Sequence, residues 1–139
     1  MPSSSSHPPE RLVNRVDEAD FVSPTRTGLD GQPDEYSACR LISAELSDSS
    51  TLSVGWARIL PGQTHLRHYH PTSDEFYVII HGTSVVTLDD HQYPARPGES
   101  YFMPAGTIHG IFNPGDEPCE FLYGFDAPSL GSIGTVFVE

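Results

Sequence analysis

Three histidines and a glutamate have residue types and a spacing that suit a metal site. His68 and His70 are separated by one residue, and Glu75 follows His70 by five positions, at the start of the apolar run 76–80. Because residues two apart on a β-strand point to the same face, the two imidazoles can be directed at one point. His109 follows a proline–glycine turn and is the fourth candidate donor. Imidazole nitrogens and a carboxylate bind divalent transition metals, so these residues predict a metal centre.

The spacing of these residues resembles the two signature motifs of the cupin superfamily. The first motif contains Gly62, His68, His70, Glu75 and Gly82, separated by five, one, four and six residues. The second contains Gly98, Pro104, Gly106, His109 and Asn113, separated by five, one, two and three residues. All ten positions match, and the resemblance covers about residues 55–124. It implies a double-stranded β-helix, a jelly-roll-like barrel that binds one divalent metal ion through His68, His70, Glu75 and His109.

The resemblance leaves the metal and the reaction open. Three imidazoles and one carboxylate suit Fe, Mn, Ni or Zn, and an octahedral ion would keep two positions for substrate, water or O₂. Our first hypothesis is an oxygenase acting on a small aromatic or enolisable substrate. The second is a non-redox cyclase, isomerase or lyase, since small cupins include polyketide cyclases as well as dioxygenases. The third is a cupin that binds a small molecule without catalysis.

Strand periodicity extends the metal centre to a cavity wall. If the four candidate ligands point inward, residues two positions away do so too. The residues that this rule predicts in the wall are Tyr77, Ile79, Leu66 and Ile111, and further candidates are Trp56, Tyr101, Met103 and Phe125. Such a wall is apolar apart from a phenol, which favours an aromatic or oxygenated substrate.

Two further residues are candidate catalytic groups. Tyr77 is a candidate proton donor, because a buried phenol beside a metal needs a polar partner. By strand parity His65 points away from the site or above it, and we include it as a candidate substrate contact or additional ligand. Of the other histidines, His7 lies in the N-terminal tip, and His81 and His91 are predicted in turns.

The elements that position these residues are predicted to be short strands. The chain has 12 glycines, 13 prolines and no sustained helical period, which favours an all-β fold. We predict strands at 36–46, 52–60, 75–80, 84–88, 100–103, 109–112 and 119–125. Gly62, Gly82, Gly98 and Gly106 are predicted to allow positive φ at strand ends, and Asn113 to bond its own turn.

We divide the chain into three parts. Residues 1–35 are rich in Ser, Pro and Asp and are predicted to form a flexible tip and an N-terminal arm. Residues 36–126 form the barrel, and residues 127–139 form a C-terminal tail. An open barrel exposes strand edges, so we expect a homodimer.

Charge and composition exclude several classes of function. The formal net charge is −12, and all seven basic residues are arginines, which argues against nucleic acid and anionic membranes as partners. The absence of lysine excludes Schiff-base chemistry on a chain lysine.

Cys39 and Cys119 belong to no clustered motif, so we expect no disulfide framework. The N-terminus does not resemble a signal peptide, so we expect a cytoplasmic protein.

Overall fold

The computed structural model describes residues 9–18 and 20–139, which form two antiparallel β-sheets. The strands are β1 (Ser37–Ile42), β2 (Ser53–Ile59), β3 (Thr64–Tyr69), β4 (Glu75–His81), β5 (Ser84–Leu88), β6 (His91–Ala95), β7 (Ser100–Met103), β8 (His109–Phe112), β9 (Cys119–Phe125) and β10 (Val136–Phe137). One sheet has the order β1-β2-β9-β4-β7 and the other the order β10-β3-β8-β5-β6. The prediction of an all-β cupin fold is confirmed.

The barrel core forms where the inner faces of the two sheets meet. In β2 and at the start of β4, buried residues alternate with partly exposed ones, so one face of each strand packs inward. The core cluster contains Ala57, Ile59, Tyr77, Ile79, Val86, Ala95, Met103, Ile111, Cys119 and Phe121. The inward face of β4 therefore carries both core residues and Glu75.

The turns between the strands follow the sequence prediction. Gly82 has a φ of 74°, and a Cβ there would lie 2.2 Å from the carbonyl oxygen of Pro118, so only glycine fits. The predicted positive φ is also present at Gly62, Gly98 and Gly106. Asn113 donates to the carbonyls of Ile59 and Glu117 and accepts from the Gly115 amide, which confirms its role in the turn backbone.

The predicted strand 36–46 is wrong at its C-terminal end. After Ile42 the chain forms a single helical turn, α1 (Ala44–Ser47), because the Ser43 hydroxyl caps it by accepting from the Leu46 amide at 3.1 Å. Within the described residues, no helix has the length and apolarity needed to span a membrane.

Two histidines predicted in turns lie at strand ends. His81 is the last residue of β4, and His91 begins β6. Strands β3, β6 and β10 were not among the predicted strands. Strand β6 was missed because four of its five residues are exposed, so it has no alternating apolar pattern. His7 lies outside the described residues.

The arm and the tail are both attached to the barrel. Val22 exchanges two main-chain hydrogen bonds with Ala38 of β1, at 2.9 and 3.0 Å. The Arg58 guanidinium lies 4.2 Å from the centre of the Phe21 ring. In the tail, β10 pairs with β3, which brings Gly134 close to His70, the residue that follows β3.

Both cysteines are free thiols. Cys39 lies on β1 and Cys119 begins β9, and both side chains are buried. Burial raises the pKa of each thiol, so neither has the low pKa of a reactive cysteine.

Candidate metal centre

The four predicted ligand side chains meet inside the barrel. His68 lies on β3 opposite His109 of β8, His70 follows the end of β3, and Glu75 begins β4. All four are buried, and one donor atom from each lies within 4.8 Å of the others. Glu75 Oε1 is 2.7 Å from His109 Nε2 and 3.2 Å from His70 Nε2. We refer to these residues as the four-residue cluster.

Main-chain carbonyls orient all three imidazoles of the cluster. The Nδ1 atoms of His68, His70 and His109 donate to the carbonyls of Leu66, Gly134 and Thr107, respectively. A carbonyl can only accept, so each Nδ1 carries a hydrogen. Nε2 is therefore the nitrogen that each ring presents to the centre of the cluster.

The electrostatics of the cluster fit a bound cation. Burial, followed by the nearby His65 and His109, holds the pKa of His68 well below its ordinary value, so this ring is neutral. Burial alone would raise the pKa of Glu75, but the contact with His109 Nε2 and the nearby His70 ring hold it below the ordinary value. His70 Nε2 makes no hydrogen bond with the described residues, although it faces the carboxylate. A proton can bridge the Glu75 carboxylate and one imidazole, whereas a divalent cation can bind all four donor atoms.

Three of the four cluster residues, His68, His70 and Glu75, line a cavity of about 1010 Å³. We call it the central cavity. Its described aromatic lining residues are Tyr36, Tyr77, Phe121, Tyr123 and Phe125, and residues of the arm and tail also line it. The predicted aromatic side chains are therefore present, but the wall is more polar than predicted, because it contains three phenols and charged side chains such as Arg26 and Arg40.

Strand periodicity predicted the cavity wall only in part. Tyr77 and Phe125 line the central cavity. Ile79, Met103 and Ile111 are packed into the core cluster instead, and Tyr101 packs against it. Trp56 donates to Glu120 at 2.9 Å, and Leu66 is not among the described lining residues. The rule failed because the inward face of a barrel strand contacts the closed core along one part and the open cavity along another. An alternation of period 2 identifies the inward face but not which of the two a residue contacts.

Tyr77 is buried beside the cluster with its hydroxyl unpaired. It is 1% exposed, and its hydroxyl has no hydrogen-bond partner among the described residues. The centre of its ring is 5.9 Å from that of His109. Burial and then the charge of Glu75 raise its pKa well above the ordinary value, so the phenol keeps its proton at neutral pH.

His65, which strand parity predicted to point away from the site or above it, lies inside the barrel next to the cluster. The register between β3 and β8 shifts between His65 and His68, so His65 and Leu66 are both buried and simple alternation fails. His65 lines the central cavity, and its ring centre is 4.4 Å from that of His68. It is not part of the four-residue cluster.

Three residues near His65 were not predicted. Asp34 accepts from the His65 Nδ1 at 2.8 Å and from Arg26 Nε at 2.9 Å. Arg26 also donates to the Tyr36 hydroxyl at 3.2 Å. These residues precede β1, outside both motifs, and no sequence signal connects them with a histidine about 30 positions away.

The comparisons with known proteins agree with the fold. A model of the cupin domain matches residues 55–125. The dimethylsulfoniopropionate lyase DddW of Ruegeria pomeroyi is 30% identical over 133 residues, which cover 96% of this chain and 82% of that protein. The polyketide synthase CurC of Streptomyces cyaneus is 33% identical over 86 residues, and the match covers 59% of this chain and 56% of CurC. The chain therefore matches just over half of the length of CurC.

A solved structure with a similar fold is the polyketide cyclase RemF of Streptomyces resistomycificus. The TM-score is 0.74 at 19% identity, and the alignment covers 91% of this chain and 85% of RemF. At this identity the comparison supports the barrel fold and carries no information about the reaction.

Proposed function

The chain belongs to the cupin family, and on this basis we propose that it is a mononuclear metal enzyme that catalyses proton transfer on a small organic substrate, in the lyase or cyclase class. The observation that carries the proposal is the four-residue cluster, whose donor atoms lie within 4.8 Å of one another in a buried site. The cluster adjoins a cavity large enough for a small molecule.

We assign the binding of one divalent ion, Fe, Mn, Ni or Zn, to His68, His70, Glu75 and His109. The main-chain carbonyls keep the three Nε2 atoms directed at one point, so the chain positions the donors before the ion binds. Such an ion would act as a Lewis acid toward a substrate oxygen in the central cavity.

Tyr77 is the proton donor in this proposal. Its hydroxyl is buried beside the cluster, keeps its proton at neutral pH and has no protein partner to compete with a substrate. In an elimination, solvent in the cavity accepts the proton of the broken C–H bond, the C–H electrons form the C=C bond, and the leaving group departs with its electron pair. A leaving oxygen takes a proton from Tyr77, whereas a neutral leaving group such as a sulfide takes none. No oxidant is required for this reaction.

The relation to DddW favours a non-redox reaction over the oxygenase hypothesis. The alignment with DddW covers nearly the whole chain, including the arm and the tail, and the name of that protein records a lyase activity. An oxygenase would need O₂ as a second substrate. Oxygen dependence is therefore the property that distinguishes the two hypotheses.

The experiment is a hydrogen-exchange screen without oxygen. Protein loaded in turn with Zn²⁺, Mn²⁺ and Fe²⁺ is incubated in D₂O with dimethylsulfoniopropionate and a panel of small hydroxy and keto acids. Proton NMR then reports deuterium incorporation next to the carbonyl group, or formation of an alkene. We expect exchange or elimination with at least one substrate, and about 100-fold less with Tyr77→Phe, since a general acid contributes about this factor.

Two results would contradict the proposal. One is a lack of exchange and elimination with every metal under anaerobic conditions, together with oxygen consumption when air is admitted, which would favour the oxygenase. The other is tight binding of a substrate without conversion, which would favour a binding protein. His91→Ala is the control variant, because this histidine is exposed on β6.

A further inference from the structure

His65 lies beside the four-residue cluster but belongs to a separate hydrogen-bond network. It is 8% exposed and lines the central cavity. Its ring centre is 4.4 Å from that of His68 on one side and 4.4 Å from that of Tyr36 on the other. The donor atoms that converge with Glu75 do not include those of His65, so a role other than metal binding must explain its burial.

Asp34 fixes the orientation of the His65 ring. Its carboxylate is fully buried and accepts from three donors: His65 Nδ1 at 2.8 Å, the Leu66 amide at 2.9 Å and Arg26 Nε at 2.9 Å. Burial alone would raise the pKa of Asp34, but the hydrogen bond from His65 and the other donors lower it, so the carboxylate is ionised. An ionised carboxylate can only accept, and His65 therefore carries its hydrogen on Nδ1.

The consequence is a hydrogen-bond acceptor in the cavity wall. With Nδ1 held by Asp34, the remaining nitrogen of His65 is Nε2, which has a lone pair in the neutral ring. Arg26 supports the arrangement from outside, because it pairs with Asp34 and also donates to the Tyr36 hydroxyl.

We propose that His65 Nε2 is a fixed acceptor for a hydroxyl group of the substrate. Three residues hold it in place, and we call them the Asp34 relay: Arg26, Asp34 and His65. The substrate class is then a small molecule with an alcohol, enol or phenol hydroxyl next to the oxygen that faces the four-residue cluster. Asp34 is a positioning residue that acts through His65. This inference rests on the proposed function, because it places the substrate beside the cluster.

The location of the relay supports a role in specificity. Arg26 and Asp34 lie before residue 55, outside the part of the chain that the cupin model matches. The cupin barrel therefore forms the cluster from its own strands, while the arm supplies the groups that orient His65. A buried acceptor discriminates strongly against ligands without a donor, since it would otherwise stay unpaired.

The first experiment determines the position of the proton on His65. Nitrogen-15 NMR of the histidine side chains is recorded for the zinc-loaded full chain, with His65 assigned by comparison with His65→Gln. We expect a neutral ring protonated on Nδ1. A ring protonated on Nε2 would overturn the inference, whatever the outcome of the activity screen.

The second experiment measures the selectivity for a hydroxyl donor. Isothermal titration compares catechol with guaiacol, in which a methoxy group replaces one hydroxyl, on zinc-loaded protein. In every variant, metal chelation contributes to the ratio of the catechol affinity to the guaiacol affinity. The readout is therefore the change of this ratio between variants. We expect Asp34→Ala and His65→Phe to lower the catechol preference by about three- to tenfold, as for one lost hydrogen bond.

Asp34→Asn is the conservative variant that separates positioning from folding. Its amide oxygen can still accept from His65 and from the Leu66 amide, so the catechol preference should be retained. Zinc affinity should stay within about twofold of the wild type in all variants, since the relay contributes no ligand. If Asp34→Ala does not fold, His65→Phe and Asp34→Asn still decide the question.

The outcomes separate this inference from the proposed function. An unchanged catechol-to-guaiacol ratio in His65→Phe would overturn the relay even if the protein proves to be a metal-dependent lyase. Failure of the chain to bind zinc, or exchange that needs no metal, would overturn the proposed function. In that case the NMR experiment on the full chain without zinc still determines whether Asp34 fixes the His65 tautomer.

Discussion

The floor and one side of the central cavity both present imidazoles, but they are built in different ways. On the floor, His68, His70 and His109 each donate through Nδ1 to a main-chain carbonyl. On the side, His65 donates to the carboxylate of Asp34, which an arginine supports in turn. The floor is thus oriented by the backbone of the fold, and the side wall by individual side chains.

The two regions differ in which substitutions they tolerate. A main-chain carbonyl is present whatever the side chain, so substitutions of Leu66, Thr107 or Gly134 leave the acceptors in place. The side wall loses the acceptor for His65 Nδ1 when Asp34 alone is replaced. We therefore expect the floor to determine the chemistry and the side wall to determine which substrate enters.

The largest expected effect is on metal binding by the floor. His68→Ala removes one of four donors, and we expect zinc affinity to fall by at least about 100-fold. Even the loss of a residue that only hydrogen-bonds to a metal ligand lowers metal affinity by about 10- to 100-fold. Competition with a fluorescent chelator measures this affinity. His65→Ala should change it little, and an equal loss in both variants would show that the two regions are not distinct.

The second effect is on the stability of the side wall. Asp34→Ala leaves two N–H groups, those of His65 and Leu66, without their buried acceptor, and we expect the free energy of unfolding to fall by about 3 kcal/mol. Urea denaturation monitored by circular dichroism measures the change. Asp90→Ala is the matched control because its side chain is exposed. A loss as small as that of the control would contradict the buried network.

The third prediction concerns the pH dependence of the metal-free protein. Burial lowers the pKa of His68 well below its ordinary value of 6.5. As the pH falls through 6.5, the unfolded chain binds a proton that the folded chain does not, so stability is present above this pH and decreases below it. We expect His68→Gln to reduce this decrease more than His65→Gln, since Asp34 opposes the effect of burial on His65.

Urea denaturation at several values between pH 7.5 and pH 5.5 measures this slope. Equal slopes for the two variants, or a stability that rises on acidification, would contradict the assignment of neutral buried imidazoles.

The smallest effect on stability is expected at Tyr77, whose ring packs near that of His109. Its hydroxyl is buried without a partner among the described residues, so Tyr77→Phe should raise the free energy of unfolding by about 1 kcal/mol. The same substitution should lower the proton-transfer activity. A destabilised variant would indicate that the hydroxyl has a structural partner, such as an ordered water molecule, rather than a role toward the substrate.

The sequence predicts the floor well because each of its determinants is local. Histidines two apart, a glutamate after a turn and a histidine after a second turn follow from strand geometry and the motif spacing. The strands 84–88, 100–103, 109–112 and 119–125 were also predicted with the bounds that the structure shows. Alternating apolar residues and turn residues with a fixed φ determine these elements.

The side wall could not be predicted in the same way. The register shift in β3 turns His65 inward, and a shift of this kind leaves no mark in an alternating pattern. Asp34 and Arg26 come from the arm, whose composition indicates only a polar segment. Their contact with His65 depends on how the arm packs, which is a long-range property of the fold.

The central claim, that four side chains bind a single ion, can be tested by elemental analysis of the untagged protein. The protein is purified without added metal, and inductively coupled plasma mass spectrometry measures the metal content of the wild type and of His68→Ala/His109→Ala. The account predicts about one transition-metal ion per wild-type chain and almost none in the double variant. Equal metal content in the two proteins, or a wild type that remains metal-free after dialysis against Zn²⁺, Mn²⁺ and Fe²⁺, would contradict it.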